Sequence, residues 1–574
     1  MKKIKYILFF GIILWSLNQE LVYGQNHTYN LEWGTYNDNN NGTGATYVSN
    51  ASTADADGNL YLGYAFSNTG ELSGGIDKFS SLGQLLWRVE LYEQNTFIYI
   101  DDLKIDHNQD LIICGWTNAT GIFGTPGAWQ EENAGLHDRF LAKLDSHTGE
   151  IIWSTYFGGP ANDEDGEGDL HWEYNSLVAI TDSNDIVWTT NMRSEDMGTP
   201  GVFQEERAGD KVDYVISKFD TQGQRIWTTY YGYNHSIITG LQVDTGGIYV
   251  AGMTRSGADY LEPYFDTSGT WTVSPYDSKA YISKFDHTGN RLWSYYFGGE
   301  GSEYHIKNSL AQTSNHLYLV GYTNSTTGIA SEGTYMPEMI NFSAGGFLAQ
   351  FDKAGTYQWG TYFADALIPI LYVEEDTNKI YVSGNTSIGE GVTTPGAYQE
   401  NLMGPSDAYA LEFDASGQRV FGTYYGGEKK EDGPHVMLTP SSKGFYLTGL
   451  TNSLTGIATP GAYQDTFLGD PDSPSANYSF IAHFVEENLS VSTTETMDFV
   501  LYPNPVKEYL HIQSQQNEHY EISVFNIAGQ QLLGKRIISP SAPLDLSALP
   551  AGMYIAEIKD LKGNRIQNLK VMKL

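Results

Sequence analysis

Cysteine is almost missing from this chain. Across 574 residues there is one, Cys114 in LIICG, so no disulfide can form within the molecule and stability has to come from packing. Cys114 itself reads as a small buried apolar side chain in a strand. Basic charge is also scarce. Lys and Arg number 32 against 69 Asp and Glu, a net charge of −37, which argues against nucleic acid or anionic lipid as a partner. The one apolar run near the start is too short to span a bilayer and no second stretch reaches spanning length, so no transmembrane segment is expected. The signatures of phosphate-binding loops, zinc proteases and G-x-S-x-G hydrolases do not occur, and the 13 His are scattered. The linear sequence therefore assigns no catalytic residue.

The early apolar run belongs to an address label. Lys2, Lys3 and Lys5 precede Ile7 to Leu17, and Val22, Tyr23 and Gly24 follow, which is the order of a secretory signal peptide over residues 1–24. Cleavage near Gly24 and Gln25 is expected to release a chain without an anchor into the periplasm.

What the sequence does contain is repetition. One phrase recurs as NLYLGYAFSNTG (59–70), DLIICGWTNATG (110–121), DIVWTTNMRS (185–194), GIYVAGMTRSG (247–257), HLYLVGYTNSTTG (316–328), KIYVSGNTS (379–387) and GFYLTGLTNSLTG (444–456). A second, of the type FLAKLD or YISKFD, follows each and runs through a Gly turn into a third, such as IWSTYFGG (152–159) or LWSYYFGG (292–299). Each phrase is a short run of apolar, β-branched or aromatic residues between turn residues, a strand signal. Few alternate cleanly, so both faces of each sheet should be covered. With a preceding strand such as DLKID (102–106), every unit offers four strands. Small sheets repeated in tandem and buried on both faces are the blades of a β-propeller.

The third phrase occurs within the units at Trp87, Trp153, Trp227, Trp293, Trp359 and Phe421, and the seventh unit, ending at FIAHFVEEN, lacks it. LEWGTY (31–36) supplies it from the other end of the chain. The expected fold is therefore an all-β, seven-bladed propeller over residues 25–487 whose last blade is completed by the N-terminal strand, with Trp33 packed near residues 445–484. Closure of this kind removes free sheet edges.

Four units carry TPGAWQEE (125–132), TPGVFQEE (199–206), TPGAYQEN (394–401) or TPGAYQDT (459–466) between their second and third strands. In these phrases the chain resembles the SBBP-type β-propeller repeat proteins of bacterial cell surfaces. The resemblance implies a fold and a surface location without an agreed chemistry. Pro and Gly fix a tight turn, and the aromatic after it can tuck under a neighbouring blade. The same four aromatics, Trp129, Phe203, Tyr398 and Tyr463, are the candidates for ligand contact. LDSHTGEIIW (144–153) is similar to the tryptophan-docking motif of quinoprotein propellers, and a quinone cofactor is not implied by it.

One acidic constellation stands out. In NDEDGEGD (162–169), Asp163, Asp165, Glu167 and Asp169 alternate, with Gly166 and Gly168 between them. Oxygen ligands at this spacing could wrap Ca²⁺, and the plainer reading is a solvated acidic loop.

After the polar stretch EENLSVSTTETMD (486–498) the composition changes. Residues 498–574 carry eight Lys or Arg against seven Asp or Glu, a net of +1, so nearly all the acidity lies upstream. Residues 488–498 read as a linker, and 499–574 offer about seven strands with Gly turns, a compact Ig-like β-sandwich. The segment closely resembles the type A sorting domain of the type IX secretion system of Bacteroidota. Tyr502, Pro503, Asn504 and Pro505 open it, Gly552 and Tyr554 lie in the LPAGMY strand, and Lys570 and Lys573 make the last strand basic. The resemblance implies passage across the outer membrane by the type IX machinery, with the tail cleaved as cargo is released or attached to the surface.

Together these readings describe a monomer that is secreted or displayed on the outer cell surface and that binds an extracellular glycan or protein. The alternative is a secreted polysaccharide-acting hydrolase with carboxylates gathered from several blades.

Overall fold

A computed structural model of the chain describes residues 28–37, 46–68, 71–163, 176–208, 212–232, 236–254, 265, 278–305, 307–339, 344–363, 367–375, 377–389, 391–441, 443–468, 478–487, 499–514, 520–526, 530–537, 543–560 and 566–574. The expected signal peptide, 1–24, and linker, 488–498, lie outside them. The chain divides into two compact units, Met1–Glu487 and Asn488–Leu574. Among the described residues every regular element is a β-strand, and no helix is long and apolar enough to cross a membrane.

The described part of the first unit is a set of seven antiparallel sheets in a propeller-like arrangement. The first runs Thr46–Ala54, Leu60–Asn68, Glu71–Phe79, Leu85–Leu91, and the second Ile98–Ile105, Leu111–Thr117, Asp138–Leu144, Ile151–Phe157. The third is Leu177–Ile180, Ile186–Met192, Asp213–Phe219, Arg225–Tyr231, and the fourth Ile237–Asp244, Gly247–Thr254, Lys279–Phe285, Arg291–Phe297. In the fifth the first strand is split into Glu303–Tyr304 and Leu310–Gln312, followed by His316–Thr323, Gly345–Asp352 and Tyr357–Phe363. The sixth is Leu367–Glu374, Lys379–Thr386, Asp407–Phe413, Arg419–Tyr425. The seventh takes Glu431–Ser441, Gly444–Thr451 and Tyr478–Glu487 from its own stretch of chain, and its outermost strand is Thr28–Asn37. That strand pairs antiparallel with Tyr478–Glu487, from Thr28 opposite Glu487 to Asn37 opposite Ser479.

The first strands of the sheets neighbour one another in a closed cycle. Thr46–Ala54 lies beside Ile98–Ile105, the succession continues sheet by sheet, and Glu431–Ser441 returns to Thr46–Ala54. Central strands such as Asp138–Leu144 and Ile186–Met192 are buried at every position, as expected of sheets covered on both faces. The hydrophobic clusters lie between consecutive sheets. Cys114 is buried in the one joining the second and third. Among the described residues, Trp33, Leu60, Leu62, Phe79, Tyr446 and Ile481 join the seventh to the first.

Four of the five recurring Trp within the units hand a hydrogen bond forward to the next sheet. The indole N–H of Trp87 donates to Ser146 O at 3.2 Å, Trp153 to Thr221 O at 3.1 Å, Trp227 to His287 O at 2.9 Å and Trp359 to Ala415 O at 3.0 Å. Trp33 does the same across the seam, donating to Ser81 O at 3.1 Å. The acceptors sit in the hairpin turns before the outer strands. Gly83 in that turn has φ +76°, and a Cβ there would come within 2.8 Å of the Trp33 ring. Glycine is thus needed twice, for the backbone and for the indole. The sequence expectation placed Trp33 among residues 445–484; the structure adds the first sheet to its contacts.

The described residues of the second unit form a three-stranded sheet (Phe499–Tyr502, Tyr509–Ser514, Leu544–Asp545) and a four-stranded one. The latter runs Gln531–Ile537, Tyr520–Asn526, Gly552–Asp560, Ile566–Lys573. One core serves both, with Leu510, Ile512, Val524, Leu544, Ala556 and Val571 among its buried members.

Candidate functional site

The inner strands of the first unit change character along their length. Ile98–Ile105 and Ile237–Asp244 are buried at their starts and half-buried at their ends, so the axis is filled at one level and open at another. At the filled level Asp101 sits in a bulge between Ile100 and Asp102. Its carboxylate lies 3.9 Å from Arg139 Nη1, both side chains being 2% exposed. Arg139 is held in turn by Asn191 and by the backbone carbonyl of Asp163. Burial pushes the Asp101 carboxyl up to about 6, and the cations Arg139 and Lys307 pull it back. Lys307 comes from the fifth sheet, three steps around the cycle from Asp101. The hydroxyls of Thr239 and Ser309 bond each other at 2.8 Å in the same buried zone.

Toward the ends of the inner strands the axis opens into a cavity of about 290 Å³. Six of the seven sheets each give it a polar side chain: Ser52, Lys104, Gln242, Gln312, Tyr372 and Thr439. Gln242 and Gln312 are fixed by donating to Leu310 O at 2.9 Å and Val243 O at 2.7 Å. Lys104 Nζ stands 3.7 Å from Asp102. Tyr372 and the Lys104 side chain are each 37% exposed. Among the described residues no carboxylate lines this cavity, although the protein is strongly acidic.

Much of the acidity on the sheets is engaged in bracing loops. The first residue of the third strand is Asp138, Asp213 or Asp407 in three sheets, and each accepts a backbone N–H from the loop before it: Ala134 at 2.8 Å, Ala208 at 3.2 Å and Met403 at 2.8 Å. A second acid follows the Gly-Gly pair of the outer strand by four residues. Asp163, Glu303 and Glu431 accept from Gly159, Gly299 and Gly427 and from Ser194, Ser325 and Ser453 of the following sheet. In the fourth sheet Lys279 replaces the first acid and pairs with Glu303 at 3.1 Å.

In the sixth and seventh sheets two such acids meet, the Asp407 and Glu431 carboxyls both crowding Gly426. Burial, reinforced by Asp407, pushes Glu431 from its ordinary 4.5 up to about 8. A carboxyl raised on folding favours the folded state while protonated, so its contribution is full below pH 4.5 and is lost as pH rises through about 8. Glu431→Gln is therefore expected to flatten the decline of melting temperature between pH 5 and 8. The same slope in variant and parent would show that the pair does not share a proton.

The loop aromatics occupy the outer rim, one per sheet, and the structure does not bring them together. Trp129 packs on Phe219 of the next sheet with Arg225 4.5 Å above its ring. Phe203 meets Phe285 and Arg291 in the same way, Tyr398 meets Phe484, and Tyr463 meets Phe79 across the seam. Trp129 and Phe203 are half-buried, while Tyr398 and Tyr463 are 44% and 37% exposed. Asp163 is buried, and its two carboxylate oxygens accept from Arg193 N, Ser194 N and Ser194 Oγ at 2.7–2.8 Å. Asp165, Glu167 and Asp169 lie outside the described residues. Among the described residues no three His, Cys, Asp or Glu are grouped to hold a metal ion. The cavity residues carry no motif that a linear reading could find; the Gly-Gly acids do, since the same spacing recurs in three units.

In the second unit the Tyr-Pro-Asn-Pro segment grips the last strand. Asn504 Nδ2 donates to Lys570 O at 2.7 Å, and Asn504 Oδ1 accepts from Met572 N at 2.8 Å. Both X-Pro bonds there, at Pro503 and Pro505, are cis. Tyr502 stacks on His511, and Tyr554, two residues after Gly552, is buried with its hydroxyl on Pro550 O. Lys570 is exposed, whereas Lys573 is 9% exposed and its ammonium bonds Leu574 O at 3.0 Å.

No curated protein is significantly similar to the chain. Among solved structures it is similar to the polysaccharide lyase Uly1, at 10% identity and TM-score 0.37, over 82% of this chain and 94% of that one. It is also similar to an ulvan lyase of family PL25, at 10% identity and TM-score 0.40, over 78% and 95%. A third is PorZ, a surface component of the type IX secretion system of Porphyromonas gingivalis, at 10% identity and TM-score 0.20, over 92% and 81%. Likeness at this level carries no function to the chain. The second unit is different: residues 500–572 match the secretion system C-terminal sorting domain. The protein is thus a cargo of the type IX secretion system, addressed by its C-terminal unit to the cell surface or beyond.

Proposed function

We propose that residues 25–487 form a seven-bladed β-propeller of the SBBP-repeat type, closed by the N-terminal strand, which binds an extracellular carbohydrate or protein in its axial cavity. Residues 1–24 serve as signal peptide, 488–498 as linker and 499–574 as an Ig-like sorting domain. The closed cycle of inner strands and the forward-reaching tryptophans support the propeller. The observation that carries the binding role is the cavity, whose polar groups converge from six sheets and are partly fixed by the backbone. The filled level at Asp101, Arg139 and Lys307 puts the mouth at the other end, where the inner strands turn into their hairpins.

Hydrolysis of a polysaccharide calls for two carboxylates flanking the ligand. Among the described residues the cavity has none, and the acid pairs on the sheets are buried in loop braces. This favours binding over hydrolysis. The four rim aromatics act in this reading as braces between sheets.

A panel of extracellular polysaccharides and surface proteins, titrated against the purified protein, provides the test. Tyr372→Ala and Lys104→Glu are expected to weaken a discovered ligand about ten-fold or more, while Trp129→Ala lowers melting temperature and leaves affinity unchanged. Affinity lost in Trp129→Ala and Tyr398→Ala but kept in the axial variants would move the site to the rim. Appearance of shortened polysaccharide products would favour the enzyme.

A further inference from the structure

Among the described residues, the four-stranded sheet of the second unit turns one face to the core and carries exposed side chains on the other. Ile522, Val524, Tyr554, Ala556 and Val571 point inward and are buried. The residues that alternate with them are not uniformly polar. Phe525 stands opposite Ile555, and Ile555 opposite Lys570. One pair along, Met553 stands opposite Met572. Met553 is 45% exposed, Ile555 41% and Met572 42%, and Phe525 is half-buried. Cross-strand neighbours lie about 5 Å apart and alternate residues share a face, so these side chains make one contiguous patch. An antiparallel sheet facing water ordinarily shows polar residues there. A contiguous apolar patch instead marks an interaction surface, and methionine adapts to a partner's shape.

We propose that this face, Phe525, Met553, Ile555 and Met572 with exposed Lys570 at its margin, is the surface by which the type IX machinery reads the sorting domain. The partner is a protein surface that is apolar at its centre and places a carboxylate against Lys570. Two observations select this occupant. All five residues lie inside 500–572, the segment that matches the sorting domain, and machinery that carries many cargoes can read only what those cargoes share. The unit's inward face already has its own core, which leaves the outward face for the reader. The proposal rests on the sorting domain and is independent of the axial ligand.

The test is export of the full chain from its own cells. Met553→Ser combined with Met572→Ser is expected to reduce surface and medium protein about ten-fold and to accumulate it in the periplasm, with the unit's melting transition retained. The corresponding Leu pair should be exported as the parent is, and Lys570→Glu should also lower export. Parental export of the serine pair overturns the proposal; if that pair loses its melting transition, parental export of Lys570→Glu does. In the purified protein, peroxide should oxidise Met553 and Met572 well before buried Met192 and Met253. Protection of both exposed methionines would mean that the first unit or a second copy covers the patch, and would overturn it equally.

Discussion

Removal of residues 488–574 is expected to leave the protein folded and undelivered on the periplasmic side of the outer membrane. The first unit ends its own pairing at Glu487, which stands opposite Thr28, so this cut breaks no strand pair of that unit. The removed part holds its own core and the whole segment, 500–572, that matches the sorting domain. The effect should therefore be an export defect approaching complete loss, with the melting transition of the first unit kept. Cell fractionation of the truncated protein checks it, and truncated protein at parental levels in the medium would remove the sorting role.

Most of the strand plan was open to a linear reading because it depends on local chemistry. The phrases around Leu60, Leu111, Ile186, Ile248, Leu317, Ile380 and Phe445 are second strands, and those around the recurring Trp are outer strands. DLKID marked an inner strand that runs Ile98–Ile105. The closing strand was legible for the same reason: LEWGTY is an outer-strand phrase without a sheet of its own, and the seventh unit is a sheet without that phrase.

The site was less legible, for a physical reason. Ser52, Lys104, Gln242, Gln312, Tyr372 and Thr439 share only a position near the end of an inner strand, and inner strands have no common phrase. What gathers them is closure of the cycle, which no spacing within one unit records. Sequence drew attention instead to the conspicuous residues, Trp129 and its equivalents and the acidic run at Asp163. The Pro-Gly aromatics recur from sheet to sheet and touch the neighbouring sheet, whereas of the acidic run only Asp163 repeats a spacing, that of Glu303 and Glu431. Lys570 and Lys573 illustrate the same limit, since alternation along one strand exposes the first and buries the second.

Trp33→Ala is expected to cost about 3–5 kcal/mol, the range for removing a large buried aromatic. Trp33 is 8% exposed. It lies between Tyr446 and His483 of the seventh sheet and Leu60 and Phe79 of the first, and its indole N–H holds Ser81 O. Among the described residues the cluster it fills joins the seventh sheet to the first, beside the Tyr463–Phe79 ring contact and the hydrogen bond from Tyr446 to Gly58 O. Its strand is also tied backward: Tyr29 donates to Glu412 of the sixth sheet at 2.6 Å and rests on Phe421. Loss of the ring should therefore loosen the seam first and leave the strand attached to Tyr478–Glu487.

Hydrogen exchange of the Trp33→Ala protein tests the closed cycle most directly. Faster exchange is expected on both sides of the seam, in residues 444–487 and 60–85, with the fourth and fifth sheets protected as in the parent. Faster exchange in residues 60–85 alone, with 444–487 unchanged, would contradict it, because Thr28–Asn37 would then belong to the first sheet and the cycle would not close through the seventh.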